Sequence, residues 1–143
     1  MVYMETKKYL GQIERLNRQI QNKLVEIYQL RTMACSVTVS TDKERVQSSG
    51  DKDKLGATVA KIVDLENQTD DLIQSFTEKR NRIIAQIDSV DDMDLYHILS
   101  LRYVSSCTFE EIADRTHWSL RKVFSLHEKA IKEFEFLFGH EYL

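Results

Sequence analysis

The sequence predicts an all-helical protein, on the grounds of its composition and of the spacing of its apolar residues. The chain of 143 residues contains no Pro and only four Gly, so few positions interrupt a helix. Apolar residues recur every three or four positions through most of the chain, which is the period of an amphipathic α-helix. We therefore expect a long antiparallel helical hairpin resembling a coiled coil over residues 1–90, followed by a helix-turn-helix domain over 91–143.

Two long amphipathic helices are predicted, at about 4–34 and 55–90. Their apolar residues fit heptads, with Asn17 as a polar interruption of the first: Leu10, Ile13, Ile20, Leu24 and Ile27, then Leu55, Val59, Ile62, Phe76, Ile83, Ile87 and Val90. Joined by a segment of about 20 residues, two such helices are expected to pair antiparallel as a helical hairpin. A lone pair buries little surface, so we expect a homodimer or larger assembly through 4–34 and 55–90, or cover from the C-terminal domain.

The connection between these helices is predicted as a loop over residues 35–53. Residues 35–40 are a β-branched run with poor helix propensity, and 41–54 are polar and contain Gly50. A connection of this length is usually either functional or disordered, and the sequence leaves both alternatives open.

The C-terminal part begins near residues 89–92, where we place the domain boundary. Asp91, Asp92 and Asp94 are acidic residues of the kind that cap a helix start. The apolar residues that follow predict a buried supporting helix: Leu95, Ile98, Leu99, Leu101 and Tyr103.

Residues 108–134 predict two helices joined by a tight turn. Thr108 and Glu111 form the pattern of a capping box, and Ser119 can cap the second helix after a turn at 115–118. One side of the second helix is apolar, with Val123, Leu126, Ala130 and Phe134 at helical spacing. The opposite side carries Arg121, Lys122, Ser125, Lys129 and Lys132. This is the layout of a helix-turn-helix, whose second helix lies in the DNA major groove.

The charge distribution limits how tightly this element can bind DNA. The chain has a net charge of −3, and residues 91–143 contain six Lys and Arg against ten Asp and Glu. Residues 119–132 reverse that balance, with four cations against Glu128 alone. The local excess favours contact with phosphate. Non-specific affinity comes mostly from the phosphates that a protein neutralises, and four cations can neutralise only a few of them. We therefore expect weak binding by the domain alone.

Part of this sequence resembles a known module, and the whole chain resembles a known family. Residues 99–103 (LSLRY) and 108–113 (TFEEIA), with Ser119, Val123, Lys129 and Ala130, resemble region 4 of bacterial sigma factors, a C-terminal helix-turn-helix, over roughly 91–137. The chain, including 42–50 (DKERVQSSG) and 59–66 (VAKIVDLE), resembles small phage and prophage proteins of the RinA and ArpU type of late-gene transcription regulators, from low-GC Gram-positive bacteria.

The resemblance implies transcription regulation at a late-gene promoter, with double-stranded DNA and possible host RNA polymerase as partners. It implies that Arg121 and Lys122 contact bases or phosphates, that Ser125 donates a hydrogen bond, and that Lys129 contacts a phosphate. The expected DNA-binding set is Ser119, Arg121, Lys122, Ser125, Lys129 and Lys132. Phe124 departs from the polar residue usual at that outward position, and we expect it to pack on a partner or on a thymine methyl.

The rival hypothesis is a coiled-coil adaptor that docks on RNA polymerase or another protein without binding DNA. The aromatic C-terminal end, with Phe134, Phe136, Phe138 and Tyr142, is interpreted either as core cover with a frayed tail or as such a docking surface. Trp118 is interpreted as a turn aromatic that covers the core, and His127 as a histidine at the core edge.

No catalytic or metal-binding pattern stands out, so we expect neither an enzyme nor a cofactor. The four His are dispersed, and no Gly-rich phosphate loop or nucleophile arrangement is present. Cys35 and Cys107 are interpreted as reduced thiols of a cytoplasmic protein, and no apolar run approaches the length of a membrane span.

Overall fold

The prediction of an all-helical protein is confirmed by the computed structural model, which describes the backbone of residues 2–43 and 49–143 and the side chains of 2–36 and 54–143. These residues form five α-helices and a short π-helical segment, with no strand among them. The elements are α1 (Val2–Lys43), α2 (Ser49–Asp88), α3 (Met93–Leu99), the π-helical segment (Ser100–Val104), α4 (Phe109–Thr116) and α5 (Leu120–Tyr142).

The predicted loop over 35–53 is wrong at both ends. Helix α1 continues to Lys43 and α2 already begins at Ser49, while residues 44–48 lie outside the described part of the chain. Each β-branched residue lowers helix propensity by only a fraction of a kcal/mol, about 0.7 at most. A helix that is already formed gains one hydrogen bond with each added residue, which outweighs this small penalty.

The chain divides into two compact units, which cut across the helices. The large unit comprises Met1–Asn17 and Glu78–Leu143, and the two-helix unit comprises Arg18–Thr77. The expected boundary near 89–92 coincides with the junction between α2 and α3 but not with the boundary between these units. The first turns of α1 and the last turns of α2 belong with the C-terminal elements instead.

The core of the large unit joins these helix ends to α3, α4 and α5. Its fully or nearly buried apolar side chains are Leu10, Ile13, Leu16, Ile83, Ile87, Val90, Ile98, Leu99, Tyr103, Cys107, Ile112, Val123, Ala130, Ile131 and Phe134. Tyr9 stacks on Tyr142 with ring centroids 4.2 Å apart, and Thr6 Oγ1 lies 2.8 Å from the Tyr142 hydroxyl. The aromatic end of α5 is therefore packed against the start of α1, and it is helical to Tyr142 rather than frayed.

Polar contacts also hold α1 to α2 inside the large unit. The Tyr9 hydroxyl donates to Gln86 Oε1 at 2.5 Å, and the Gln86 amide donates to Glu141. Asn17, which interrupts the apolar heptad of α1, accepts a hydrogen bond of 3.0 Å from the Arg80 guanidinium on α2. A polar residue at a seam position thus has a polar partner, which fixes the register of the two helix segments.

The two-helix unit has a much smaller core. Its buried side chains are Ile20, Ile27, Ile62 and Thr69. An ion pair of 2.7 Å joins Arg31 Nε on α1 to Glu66 Oε1 on α2. Seven large apolar side chains are exposed in the described part of this unit: Leu24, Val25, Tyr28, Met33, Val63, Leu65 and Leu72. Among the residues described, no helix has a stretch long and apolar enough to cross a membrane.

Candidate nucleic-acid interface

Helix α4 begins at a capped residue, as the sequence predicts. Thr108 has an extended backbone, and its hydroxyl accepts a hydrogen bond of 3.2 Å from the Glu111 amide. Ile112 is fully buried, which fixes the side of α4 that faces the core.

The turn after α4 is shorter than the predicted 115–118. Arg115 and Thr116 remain helical, and the Thr116 hydroxyl donates to the Ile112 carbonyl oxygen at 2.6 Å. The chain reverses at His117, which has the left-handed backbone (φ 60°, ψ 18°) that commonly ends a helix. The next amide, of Trp118, donates to the Thr116 hydroxyl at 3.3 Å. The same side chain that extends α4 therefore also braces the turn.

Helix α5 also begins at its predicted cap. Ser119 has an extended backbone, and its Oγ accepts a hydrogen bond of 3.1 Å from the Lys122 amide. The predicted buried stripe is present, with Val123, Ala130 and Phe134 fully buried; Leu126, the fourth member, is half-buried. This stripe fixes the rotation of α5 about its axis, and with it the residues that face solvent.

All six residues of the expected DNA-binding set are exposed and belong to this one element: Ser119, Arg121, Lys122, Ser125, Lys129 and Lys132. Arg121 and Ser125 are four residues apart and therefore lie on one side of the helix. Lys132 is 3.9 Å from Glu128 in an exposed pair, which contributes little energy. Neither Arg121 nor Lys129 forms an ion pair within the described residues. We call this solvent-facing side of α5 the basic face.

Acidic side chains limit the extent of the basic face. Glu110, Glu111 and Asp114 on α4 are exposed, and Glu128 lies seven residues after Arg121, on the same side of α5. The large unit as a whole contains twelve Lys and Arg against fourteen Asp and Glu. The excess of cations on α5 is therefore local, on a unit that contains more acidic than basic residues.

Two aromatic side chains flank the basic face. Trp118 is half-buried in the turn, with its ring 6.1 Å from the His97 ring and 5.3 Å from Lys122 Nζ. Phe124 is 48% exposed, and its ring lies 4.9 Å from that of Phe109. Trp118 is thus half-buried beside two exposed side chains, whereas about half of Phe124 stays accessible beside the cations.

Sequence reasoning missed the hydrogen-bond partners of the histidine behind this face. His127 is 2% exposed; its Nε2 lies 2.8 Å from the Tyr103 hydroxyl and its Nδ1 lies 3.5 Å from the Tyr3 hydroxyl. Burial, and then the positive charges of Lys7 and Arg102, lower the pKa of His127 to about 4. The position of His127 four residues after Val123 indicated burial, but no local signal could pair it with Tyr3, 124 residues away.

Comparisons with known proteins add no relative to this description: no family model, no curated protein and no solved structure matches the chain.

Proposed function

We propose that the chain is a transcription regulator that binds promoter DNA through a helix-turn-helix formed by α4, the turn at His117 and α5. The observation that carries the proposal is the basic face of α5. It places Arg121, Lys122 and Lys129 in solvent on a helix whose opposite side is buried in the core. A rigid helix with one exposed polar side is the element that enters the major groove in proteins of this kind.

The residues of the basic face would have different roles. Arg121 and Lys122, in the first turn of α5, are the candidates for base edges or nearby phosphates, since the start of a recognition helix lies deepest in the groove. A guanidinium can donate two hydrogen bonds to guanine O6 and N7. Lys129 and Lys132 lie further along the helix and are candidates for phosphate contacts. Ser119 and Ser125 offer hydroxyl donors.

The promoter context of the proposal comes from the sequence resemblance to phage and prophage late-gene regulators and to sigma region 4. We propose that the protein acts at such a promoter, together with host RNA polymerase. The modest charge of the basic face supports a need for a second DNA-binding copy or a polymerase contact, because few neutralised phosphates give weak binding.

We further propose that the second copy associates through the two-helix unit. Seven large apolar side chains are exposed there and only three are fully or nearly buried, so the described part of this unit leaves much apolar surface in water. Two such helix pairs can cover each other as a four-helix bundle, the usual arrangement of long antiparallel helices. A symmetric dimer would present two recognition helices to two half-sites.

A titration of duplex DNA with two double variants tests the DNA-binding proposal. The variant Arg121→Ala with Lys129→Ala removes two cations from the basic face, while Lys8→Ala with Lys79→Ala removes two exposed cations elsewhere in the large unit. We expect the first pair to weaken binding at low salt and to reduce the salt slope by about one unit for each phosphate that is no longer neutralised. Removal of a base-reading Arg121 should cost a further ~1–3 kcal/mol.

The control pair should leave affinity and salt slope close to those of the wild type. Both double variants should fold, because none of the four side chains is buried. Binding by the wild type that is no tighter than binding by the Arg121→Ala, Lys129→Ala variant would overturn the assignment of the basic face.

The adaptor function is the second candidate, and the acidic side chains favour it. Glu110 and Glu111 stand exposed at the start of α4, where a negative charge repels phosphate, and Glu128 interrupts the basic face. On this hypothesis the C-terminal domain docks on RNA polymerase or another protein. Equal DNA binding by all variants, together with retention of the wild type on immobilised polymerase, would favour the adaptor.

A further inference from the structure

A cavity of about 250 Å³ lies in the large unit, and none of the residues lining it belongs to α5. Lys7, Gly11 and Glu14 from α1 form one side. Arg102 and Tyr103 from the π-helical segment, with Ser106 after it, form the other. The cavity is smaller than the roughly 300–1,000 Å³ sites that hold drug-sized ligands, so a metabolite of few atoms would fill it.

The charges of the cavity are mainly positive. Lys7 and Arg102 stand against Glu14, and both cations lie close enough to His127 to lower its pKa. Arg102 is held in place, since its Nη1 donates to the Cys107 carbonyl oxygen at 2.9 Å and its guanidinium lies 4.3 Å from the Phe109 ring. A guanidinium has five N–H donors, and this hydrogen bond uses only one of them.

Three features of the backbone beside the cavity run against maximal stability. A π-helix is rare and is often found at functional sites, and here it carries Arg102 and Tyr103. Ser106 has a left-handed backbone with φ 56°, which is unusual for a residue with a side chain.

Gly11, the third feature, lies in the interior of α1, where glycine destabilises a helix. A Cβ built on Gly11 meets no atom within 4 Å, so close packing does not demand glycine there. Because Gly11 has no side chain, space remains free on the α1 side of the cavity.

We propose that this cavity binds a small anion that also carries a hydrogen-bond donor, such as a phosphorylated metabolite with a hydroxyl group. Lys7 and Arg102 pair with the anionic oxygens, the Ser106 hydroxyl adds a donor, and the Glu14 carboxylate accepts from the hydroxyl group of the ligand. The ligand joins α1 to the segment that leads into α4, and therefore stabilises the large unit by an amount that grows with the logarithm of its concentration above the dissociation constant. The proposal stands independently of DNA binding.

The test is an NMR titration of the full chain with inorganic sulfate, a dianion without a hydrogen-bond donor, and with glycerol 3-phosphate, followed at backbone amides. We expect saturable shifts centred on residues 7–14 and 102–106, with tighter binding of glycerol 3-phosphate, whose hydroxyls reach Glu14. Lys7→Met should weaken binding roughly tenfold, the effect of losing one charge-assisted hydrogen bond. Lys8→Met, a neighbouring exposed lysine outside the cavity, should bind like the wild type.

A second pair of variants separates filling of the cavity from loss of folding. Gly11→Leu should abolish binding while leaving the melting temperature unchanged or higher, since leucine favours a helix. Gly56→Leu in α2, where a Cβ also meets no atom within 4 Å, should raise helix propensity and keep binding intact.

Three results would overturn the proposal. They are the absence of shifts with either probe at tens of millimolar, equal weakening by Lys7→Met and Lys8→Met, and full binding by Gly11→Leu. Equal affinity for the two probes would remove the role of Glu14 and with it the donor requirement.

Discussion

The large unit and the two-helix unit contain stretches of the same two helices, yet they bury their apolar residues to different extents. In the large unit Leu10 and Ile13 of α1 are fully buried, whereas in the two-helix unit Leu24 and Tyr28 of the same helix are 46% and 73% exposed. The difference is the presence of α3, α4 and α5 in the first case. An apolar heptad therefore indicates which face of a helix needs a partner, and the neighbouring elements decide whether the chain itself supplies it.

Loss of self-association through the two-helix unit is the largest expected effect, because a micromolar dissociation constant corresponds to a binding free energy of about 8 kcal/mol. Leu65 and Leu72 are seven residues apart on α2 and roughly half exposed. Changing both to Lys should convert a dimer into a monomer in sedimentation equilibrium at micromolar concentration.

Ala60 and Asn67 provide the matched control for that experiment, since they are also exposed on α2 and have the same spacing. Changing both of them to Lys adds the same charge and should leave the dimer intact. A wild-type chain that sediments as a monomer would show that the apolar side chains of the two-helix unit remain in water.

The next largest effect should be the loss of unfolding free energy when a side chain in the core of the large unit is truncated. Truncation of an exposed side chain nearby should have almost no effect. Phe134 is fully buried, with the Tyr9, Phe138 and Tyr142 rings 5.1–6.1 Å away. Phe134→Ala should lower the free energy of unfolding by about 3–5 kcal/mol in urea denaturation. Phe136→Ala, two residues further along α5 at an 83% exposed position, should change it by less than about 0.5 kcal/mol. Similar losses for the two variants would contradict the described orientation of α5.

Acid should destabilise the large unit through His127. Its folded pKa of about 4 lies below the usual value of 6.5, so the unfolded chain binds more protons between these two pH values. Stability present above about pH 6.5 is therefore lost as the pH falls toward 4, by about 3 kcal/mol in total.

The measurement that checks this pH dependence is the urea midpoint of the wild type and of His127→Gln between pH 4 and 7. The Tyr3 and Tyr103 hydroxyls contact the imidazole, and the positive charges of Lys7 and Arg102 oppose its protonation. The variant should show a shallower pH slope than the wild type. Parallel slopes would mean that His127 can be protonated in the folded protein.

The smallest expected effect concerns the cap of α5. Ser119→Ala removes the acceptor of the Lys122 amide and should cost about 1 kcal/mol of unfolding free energy. Ser125→Ala is the control, because Ser125 is exposed inside the same helix and alanine favours helix there. A cost for Ser125→Ala as large as that for Ser119→Ala would show that the cap contributes nothing specific.

The features that the sequence predicts correctly are local ones. Thr108 and Ser119 cap their helices because a hydroxyl needs only an amide three residues ahead, and Val123, Ala130 and Phe134 are buried because helical spacing places them on one side. The rest depends on distant partners or on helix propagation. The contact of Tyr9 with Tyr142 joins opposite ends of the chain, and α1 continues to Lys43 through residues that individually disfavour helix.

The candidate DNA-binding residues follow the same division. Their exposure on one side of α5 could be predicted, because it needs only the helix period and the buried stripe. The cavity lined by Lys7, Gly11 and Arg102 could not be predicted, because it requires α1 and the π-helical segment to meet across about ninety residues of sequence. Nor does any local pattern in 100–104 distinguish a π-helix from an α-helix.

We propose that DNA binds at the turn and start of α5, and the single tryptophan of the chain reports on that location. Trp118 lies directly before Ser119, half-buried beside Lys122. Duplex DNA should change its fluorescence emission, and the change should saturate at the same concentration as the rise in anisotropy of labelled DNA. Both changes should weaken together as salt increases. A rise in anisotropy without any change in Trp118 emission would place the DNA elsewhere, and no rise at low salt would contradict the claim altogether.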